Sequence, residues 1–147
     1  MMSRNRFENE YRRIFSEYKY GSTIWSPMAG GILTGKYNDG NIPEGSRYDN
    51  HKFLLEGWKA HMGPDVKDKT LKKLNALADL AKELGYTQAQ LALAWAIANT
   101  DVSTCLLGFT KLSQVEENLN ALELYYKWTP EIEKKTRAIL ENEPETT

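Results

Sequence analysis

Two separated stretches of this chain carry residue types suited to holding a phosphate. The first runs Trp25-Ser26-Pro27-Met28-Ala29-Gly30-Gly31, continues through Gly35-Lys36-Tyr37 and ends at Ser46-Arg47. Small residues there let backbone amides approach a ligand, Lys36 and Arg47 supply positive charge, and Trp25 offers an aromatic face for stacking. The second stretch is Gly108-Phe109-Thr110-Lys111, whose amides and hydroxyl open a helix at its positive end. Gln114, Glu117 and Asn118 follow at spacings of three and four, on one side of that helix, able to exchange hydrogen bonds with a ribose or a purine edge. Taken singly, each part has an ordinary explanation as a loop, a solvated lysine or a polar helix surface. Their joint placement after two strands points to a phosphate-bearing ligand, and residue types alone go no further. Other constellations are missing from the sequence: no G-x-S-x-G elbow, no Walker A loop and no G-x-G-x-x-G. His51 and His61 have no cysteine or carboxylate at a ligand spacing, so no metal site is expected.

The elements that must position these residues can be read from periodicity. Phe7, Tyr11, Ile14, Phe15 and Tyr18 fall at helical spacings, predicting a helix over residues 7–18. Residues 22–25, short, β-branched and aromatic, predict a buried strand closed by Ser26-Pro27. Residues 30–64 are punctuated by Gly and Pro and read as a long excursion with one short helix near residues 51–61. Leu71, Leu74, Leu77, Ala78, Ala81 and Leu84 mark a helix face, with Gly85 as its terminator. Thr87 and Gln90 match a capping box that starts the next helix. Asn99-Thr100-Asp101 breaks it, and residues 102–107 predict a second buried strand. A helix with Leu112, Val115, Leu119 and Leu122 inward follows, then one opened by Thr129-Pro130-Glu131 and carrying Ile132, Thr136, Ile139 and Leu140. The tail ENEPETT is expected to fray. The order is that of βα units around a parallel sheet. Two such strands leave sheet edges that other strands ought to cover.

Composition narrows the partners. With 41% hydrophobic and 27% charged residues, the 147-residue chain has the makeup of one globular domain. Nineteen basic and twenty acidic residues leave a formal charge of -1, too balanced for a nucleic-acid binder. The longest apolar stretch, residues 91–98, is far below the ~18 residues that cross a bilayer, so no membrane insertion is expected. The charged opening MMSRNRFENEYRR is no signal peptide, and the single Cys105 fits a reducing compartment, so a cytoplasmic protein is expected.

WSPMAGGILTGKY followed by IPEGSR resembles the aldo-keto reductase stretch at the seventh barrel strand, and LLGFTKLSQVEEN resembles the stretch at the eighth. GYTQAQLALAWAIAN is similar to the helix placed between them, and the branch resembled is that of the voltage-gated potassium channel beta subunits. The resemblance implies an α/β fold, the C-terminal part of a (β/α)8 TIM barrel, with residues 1–147 an incomplete segment of it. It implies NADP(H) as cofactor. Trp25, Ser26, Pro27, Met28, Ala29 and Gly30 would line the nicotinamide and pyrophosphate, and Lys36 and Arg47 would bind the pyrophosphate region. Gly108, Thr110, Gln114, Glu117 and Asn118 would take the adenosine end with its 2′-phosphate. Met28 stands where the family commonly has leucine, Gly45 where it often has a bulky residue, and Lys111 adds charge that favours NADPH over NADH. The family reduces carbonyls with a tyrosine helped by a lysine, an aspartate and a histidine, all earlier than the point where this chain begins. None of the four can be assigned here, so no catalytic residue is named and the isolated chain is expected to be inactive. Two other expectations stand beside an oxidoreductase fragment: a regulatory, homo-oligomeric subunit of a potassium channel, and a non-functional remnant.

Overall fold

The computed structural model describes residues 1–144. Two strands, β1 (Ser22–Trp25) and β2 (Val102–Leu106), pair in parallel, with Trp25 opposite Leu106 and an irregularity between Ser22 and Thr23. They form the one sheet among the described residues, so each strand has one unpaired edge. Both strands were expected to be buried, and neither is. Thr23, Trp25, Ser103, Thr104 and Leu106 are exposed, because α-helical cover lies on one face only.

That cover is α5 (Gln88–Ala98), apolar on nearly all sides and buried over most of its length, as a central helix must be. Thr87 Oγ1 accepts from the Gln90 amide while Gln90 Oε1 accepts from the Thr87 amide, so the expected capping box is in place. α4 (Lys67–Leu84) lays Leu74, Leu77, Leu80 and Ala81 against it and ends at Gly85, whose φ of 82° is a left-handed conformation that favours glycine. α8 (Pro130–Leu140) starts at Thr129, whose Oγ1 accepts from the Ile132 amide, and buries Ile132, Thr136 and Leu140 as its spacing predicts.

Four expectations are corrected. The helix over residues 7–18 is interrupted. A wide turn over Arg6–Glu10, with the Tyr11 amide bonded to the Arg6 carbonyl, shifts the register before α1 (Arg12–Ser16), and Tyr11, Ile14 and Tyr18 end up exposed. The excursion over residues 30–64 carries its expected short helix, α3 (Leu55–Met62), but is more structured than expected: a 3-10 turn at Ala29–Thr34, α2 (Arg47–Asn50) and another 3-10 turn at Lys52–Leu54 accompany it, and Ile32, Leu33, Tyr37, Tyr48, Trp58 and Met62 are buried. In α6 (Leu112–Leu119) and α7 (Ala121–Tyr126) the buried positions are Asn118, Ala121 and Leu124, and Leu112, Leu119 and Leu122 face outward. The contact between α7 and α5 selects this face, leaving the leucine stripe without a covering element among the described residues. Finally, the tail does not fray where it is described: Asn142 and Glu143 bond to Arg4, and Glu143 also to Arg137. Residues 145–147 of that tail lie outside the described residues.

The Tyr37 hydroxyl is fully buried and has no hydrogen-bond partner among the described residues. Tyr37→Phe therefore removes an unsatisfied polar group while keeping the ring. Thermal denaturation is expected to give a melting temperature equal to or above that of the parent, whereas removal of a satisfied hydroxyl would cost about 0.5–1.5 kcal/mol.

Candidate functional site

The parallel register brings the C-terminal ends of both strands to one edge, so the chain leaving Trp25 and the chain leaving Leu106 emerge side by side. After β1 the backbone turns left-handed: Ser26 and Ala29 have φ of 51° and 50°, Gly30 68° and Gly31 104°. The turn is held from within. Ser26 Oγ accepts from the Gly30 amide at 3.0 Å, the Ser26 carbonyl from Ala29, and the Met28 carbonyl from Gly31. The amides expected to approach a ligand are therefore already engaged at Ala29, Gly30 and Gly31. Small residues serve here to make the turn, and the recognition of an anion falls to side chains.

A cavity of about 560 Å³ opens beside this turn. Of the residues singled out from sequence, Trp25, Ser26, Pro27, Ala29, Gly30 and Arg47 line it. Trp25 is 80% exposed, with its indole free to stack on a planar ring. Arg47, at the start of α2, makes no ion pair among the described residues, which leaves its guanidinium available to an anion. Met28 is half-buried and packs against the core. Lys36 lies outside the cavity lining: its Nζ sits 5.3 Å from the centre of the Tyr37 ring.

At the second strand end, Gly108, Thr110 and Lys111 are exposed. The donors of the helix start are occupied by Gln114, whose Oε1 accepts from the Thr110 amide at 2.8 Å, the Lys111 amide at 3.2 Å and the Thr110 hydroxyl at 3.2 Å. Asn118 is buried under α6. Glu117 is exposed, and its carbonyl accepts from Gln90 Nε2, which ties α6 to α5. Gln114, Glu117 and Asn118 share one helix as the spacing predicts, though Asn118 faces the core, and none of the second group lines the cavity.

Several cavity residues were not anticipated. Arg4, Tyr48, Trp95 and Asn99 line it, and so does His61, whose imidazole is held below its ordinary pKa by burial and stays neutral near pH 7. The indole N–H of Trp95 is buried and has no hydrogen-bond partner among the described residues. The available signal was adjacency, since Tyr48 directly follows Arg47. His51 packs edge-on against Phe53 instead. No cluster of three or more potential metal ligands is assembled among the described residues. No described helix is long and apolar enough to cross a membrane.

Comparison with known proteins gives one consistent answer. The model of the aldo/keto reductase family matches residues 1–137. A protein of Oryza sativa subsp. japonica described as a "Probable voltage-gated potassium channel subunit beta" is 42% identical over 147 residues, covering 100% of this chain and 43% of the relative. Its counterpart of the same description in Arabidopsis thaliana is 38% identical over 144 residues, 98% of this chain and 42% of the relative. A Schizosaccharomyces pombe protein described as a "Putative voltage-gated potassium channel subunit beta" is 43% identical over 143 residues, 97% of this chain and 40% of its own length. The chain thus spans well under half the length of these relatives.

Proposed function

Because the chain belongs to the aldo/keto reductase family, we propose that residues 1–147 are the NADP(H)-binding C-terminal segment of a (β/α)8 reductase barrel. The observation that carries the reading is the pairing of Trp25 with Leu106, which sets both candidate binding loops at one end of a parallel sheet, where ligands of such barrels sit. The residues present fit the cofactor. Arg47 is a cation on a cavity wall without an ion pair among the described residues, Trp25 presents an open aromatic face, and the turn between them is built of small residues. Trp25, Ser26, Pro27, Met28, Ala29 and Gly30 would hold the nicotinamide and pyrophosphate, with Arg47 and Lys36 on the phosphate oxygens. Gly108, Thr110, Gln114, Glu117 and Asn118 would hold the adenosine end, Gln114 turning away from the Thr110 and Lys111 amides to release them to a phosphate.

Bound NADPH supplies a hydride to a carbonyl carbon. What this segment would contribute is retention and orientation of the cofactor, with Trp25 as a stacking face and Leu33 as an apolar part of the cavity wall. None of its residues is assigned the proton donation that must accompany hydride transfer. The purified chain is therefore expected to bind NADPH in a fluorescence titration yet leave its absorbance unchanged on addition of nitrobenzaldehyde. Steady NADPH consumption by a contaminant-free sample would contradict this division of labour.

The relatives' names favour a second reading, a beta subunit of a voltage-gated potassium channel. The two readings are compatible, since the same segment can hold cofactor in either setting.

A further inference from the structure

We propose that the buried aromatic trio Tyr37, Tyr48 and Trp58 is the positioning device of the cofactor site, fixing Lys36 and Arg47 relative to the turn after β1. This rests on the cofactor reading above and adds the residues that make the site a rigid unit.

The three rings touch pairwise. Their centres are 5.5 Å apart for Tyr37 and Tyr48, 5.0 Å for Tyr37 and Trp58, and 5.2 Å for Tyr48 and Trp58, all steeply inclined, the arrangement favoured by aromatic quadrupoles. All three are buried. Each tyrosine is the chain neighbour of one candidate cation, Lys36 before Tyr37 and Arg47 before Tyr48. Both cations are exposed and neither makes an ion pair among the described residues, so each is anchored through its own backbone: Arg47 through α2, where its carbonyl accepts from His51, and through buried Tyr48 beside it, Lys36 through buried Tyr37 beside it.

The trio also grips the turn. The Tyr48 hydroxyl donates to the Ala29 carbonyl at 3.5 Å, and a Cβ placed on Gly30 would lie 2.4 Å from that hydroxyl oxygen. A Cβ on Gly31 would meet the Tyr37 ring at 3.4 Å and Lys36 Cε at 3.6 Å. Close packing of this kind transmits displacement instead of absorbing it. A shift of Tyr48 moves the turn and Arg47 together, and with them the distance between the cation and the ring-stacking face of Trp25. Gly30 is required here by two independent facts, its φ of 68° and the hydroxyl in the place of its side chain.

The test uses the 147-residue chain and two probes, NADPH and the 2′-phosphate-bearing adenosine fragment of the cofactor, which reaches only the loop after β2. Gly30→Ala drives its methyl into Tyr48. It is expected to weaken NADPH about tenfold or more while leaving the fragment's affinity unchanged, and adding Tyr48→Phe should recover a good part of the loss, the coupling expected of residues in contact. Ala29 already holds a left-handed backbone next door, so the backbone term alone does not preclude recovery. If the parent binds neither probe, the cofactor reading falls and this inference with it. If the parent binds both, three results overturn the positioning role alone: NADPH affinity unchanged by Gly30→Ala, equal loss for both probes as general unfolding would give, or no recovery on adding Tyr48→Phe.

Discussion

Arg47→Ala is expected to weaken NADPH binding by about ten- to a hundredfold, the equivalent of a charge-assisted bond worth about 1.5–3 kcal/mol. The guanidinium lines the cavity and makes no ion pair among the described residues, so its removal costs the unliganded chain nothing that would offset the lost contact. Its exposure in the unliganded chain favours the lower part of that range, because water screens a partly solvated pair. Lys36→Met should cost less than Arg47→Ala, since Lys36 stands against the Tyr37 ring and has to swing to reach a phosphate. Methionine keeps the aliphatic stem, so any loss reports charge. Gln114→Ala and Glu117→Ala should cost less again, and Gln114 must in any case release three internal donors before it can serve a ligand. Equal affinity of the Arg47→Ala chain and the parent would remove Arg47 from the site.

Glu8→Ala is expected to destabilise the fold by about 1.5–3 kcal/mol, measured by denaturant unfolding. Arg4 has a side chain only 1% exposed and is held by both oxygens of Glu8, at 2.8 and 2.7 Å, with Asn142 and Glu143 at 3.3 and 3.2 Å and the Trp95 ring 5.6 Å away. Burial opposes the charge on Arg4, and the bonds from Glu8 and then Glu143 outweigh it and raise its pKa. A buried cation left wholly unpaired would cost about 3–5 kcal/mol, but Glu143 and Asn142 remain after the substitution, which lowers the expectation. Arg4→Met should be milder than Glu8→Ala: the carboxylates it strands are 18% and 57% exposed and can be hydrated, whereas the guanidinium cannot. The opposite ranking would mean that the network is not what fastens the first residues to the tail.

Local rules of the chain were legible wherever a few neighbouring residues decide the outcome. Thr87 with Gln90, Gly85, and Thr129-Pro130 each set a helix end through bonds made within one turn, and each does so as its residue types require. Legibility failed where a distant element decides. The leucine stripe of α6 and α7 satisfies a helical period, but contact with α5 selected the Ala121 and Leu124 face instead. The glycine-rich excursion hid a packed trio because Tyr37, Tyr48 and Trp58 come from three local structures with no common period. Arg4 passed unremarked for a similar reason. Its pairing with Glu8 is an ordinary i,i+4 relation, and only the folded chain brings Trp95 and the tail over it. In the candidate site the residue types after β1 were legible, and the cavity gathers six of them. That the amides at both strand ends are already engaged was not, since it depends on the Ser26 and Gln114 side chains turning back on their own backbone.

The central claim, that the two strand-end loops form an NADP(H) site, is tested most directly by tryptophan-sensitised emission of NADPH titrated into the chain. Trp25 is 80% exposed at the end of β1, and in the proposed site it would stand close enough to the nicotinamide to act as an energy donor. Saturable quenching of tryptophan with matching growth of NADPH emission is predicted, and Trp25→Phe should reduce the transfer, the remainder coming from Trp95 on the same cavity wall and from Trp58 and Trp128. An absence of saturable transfer, or transfer undiminished by Trp25→Phe, would contradict it.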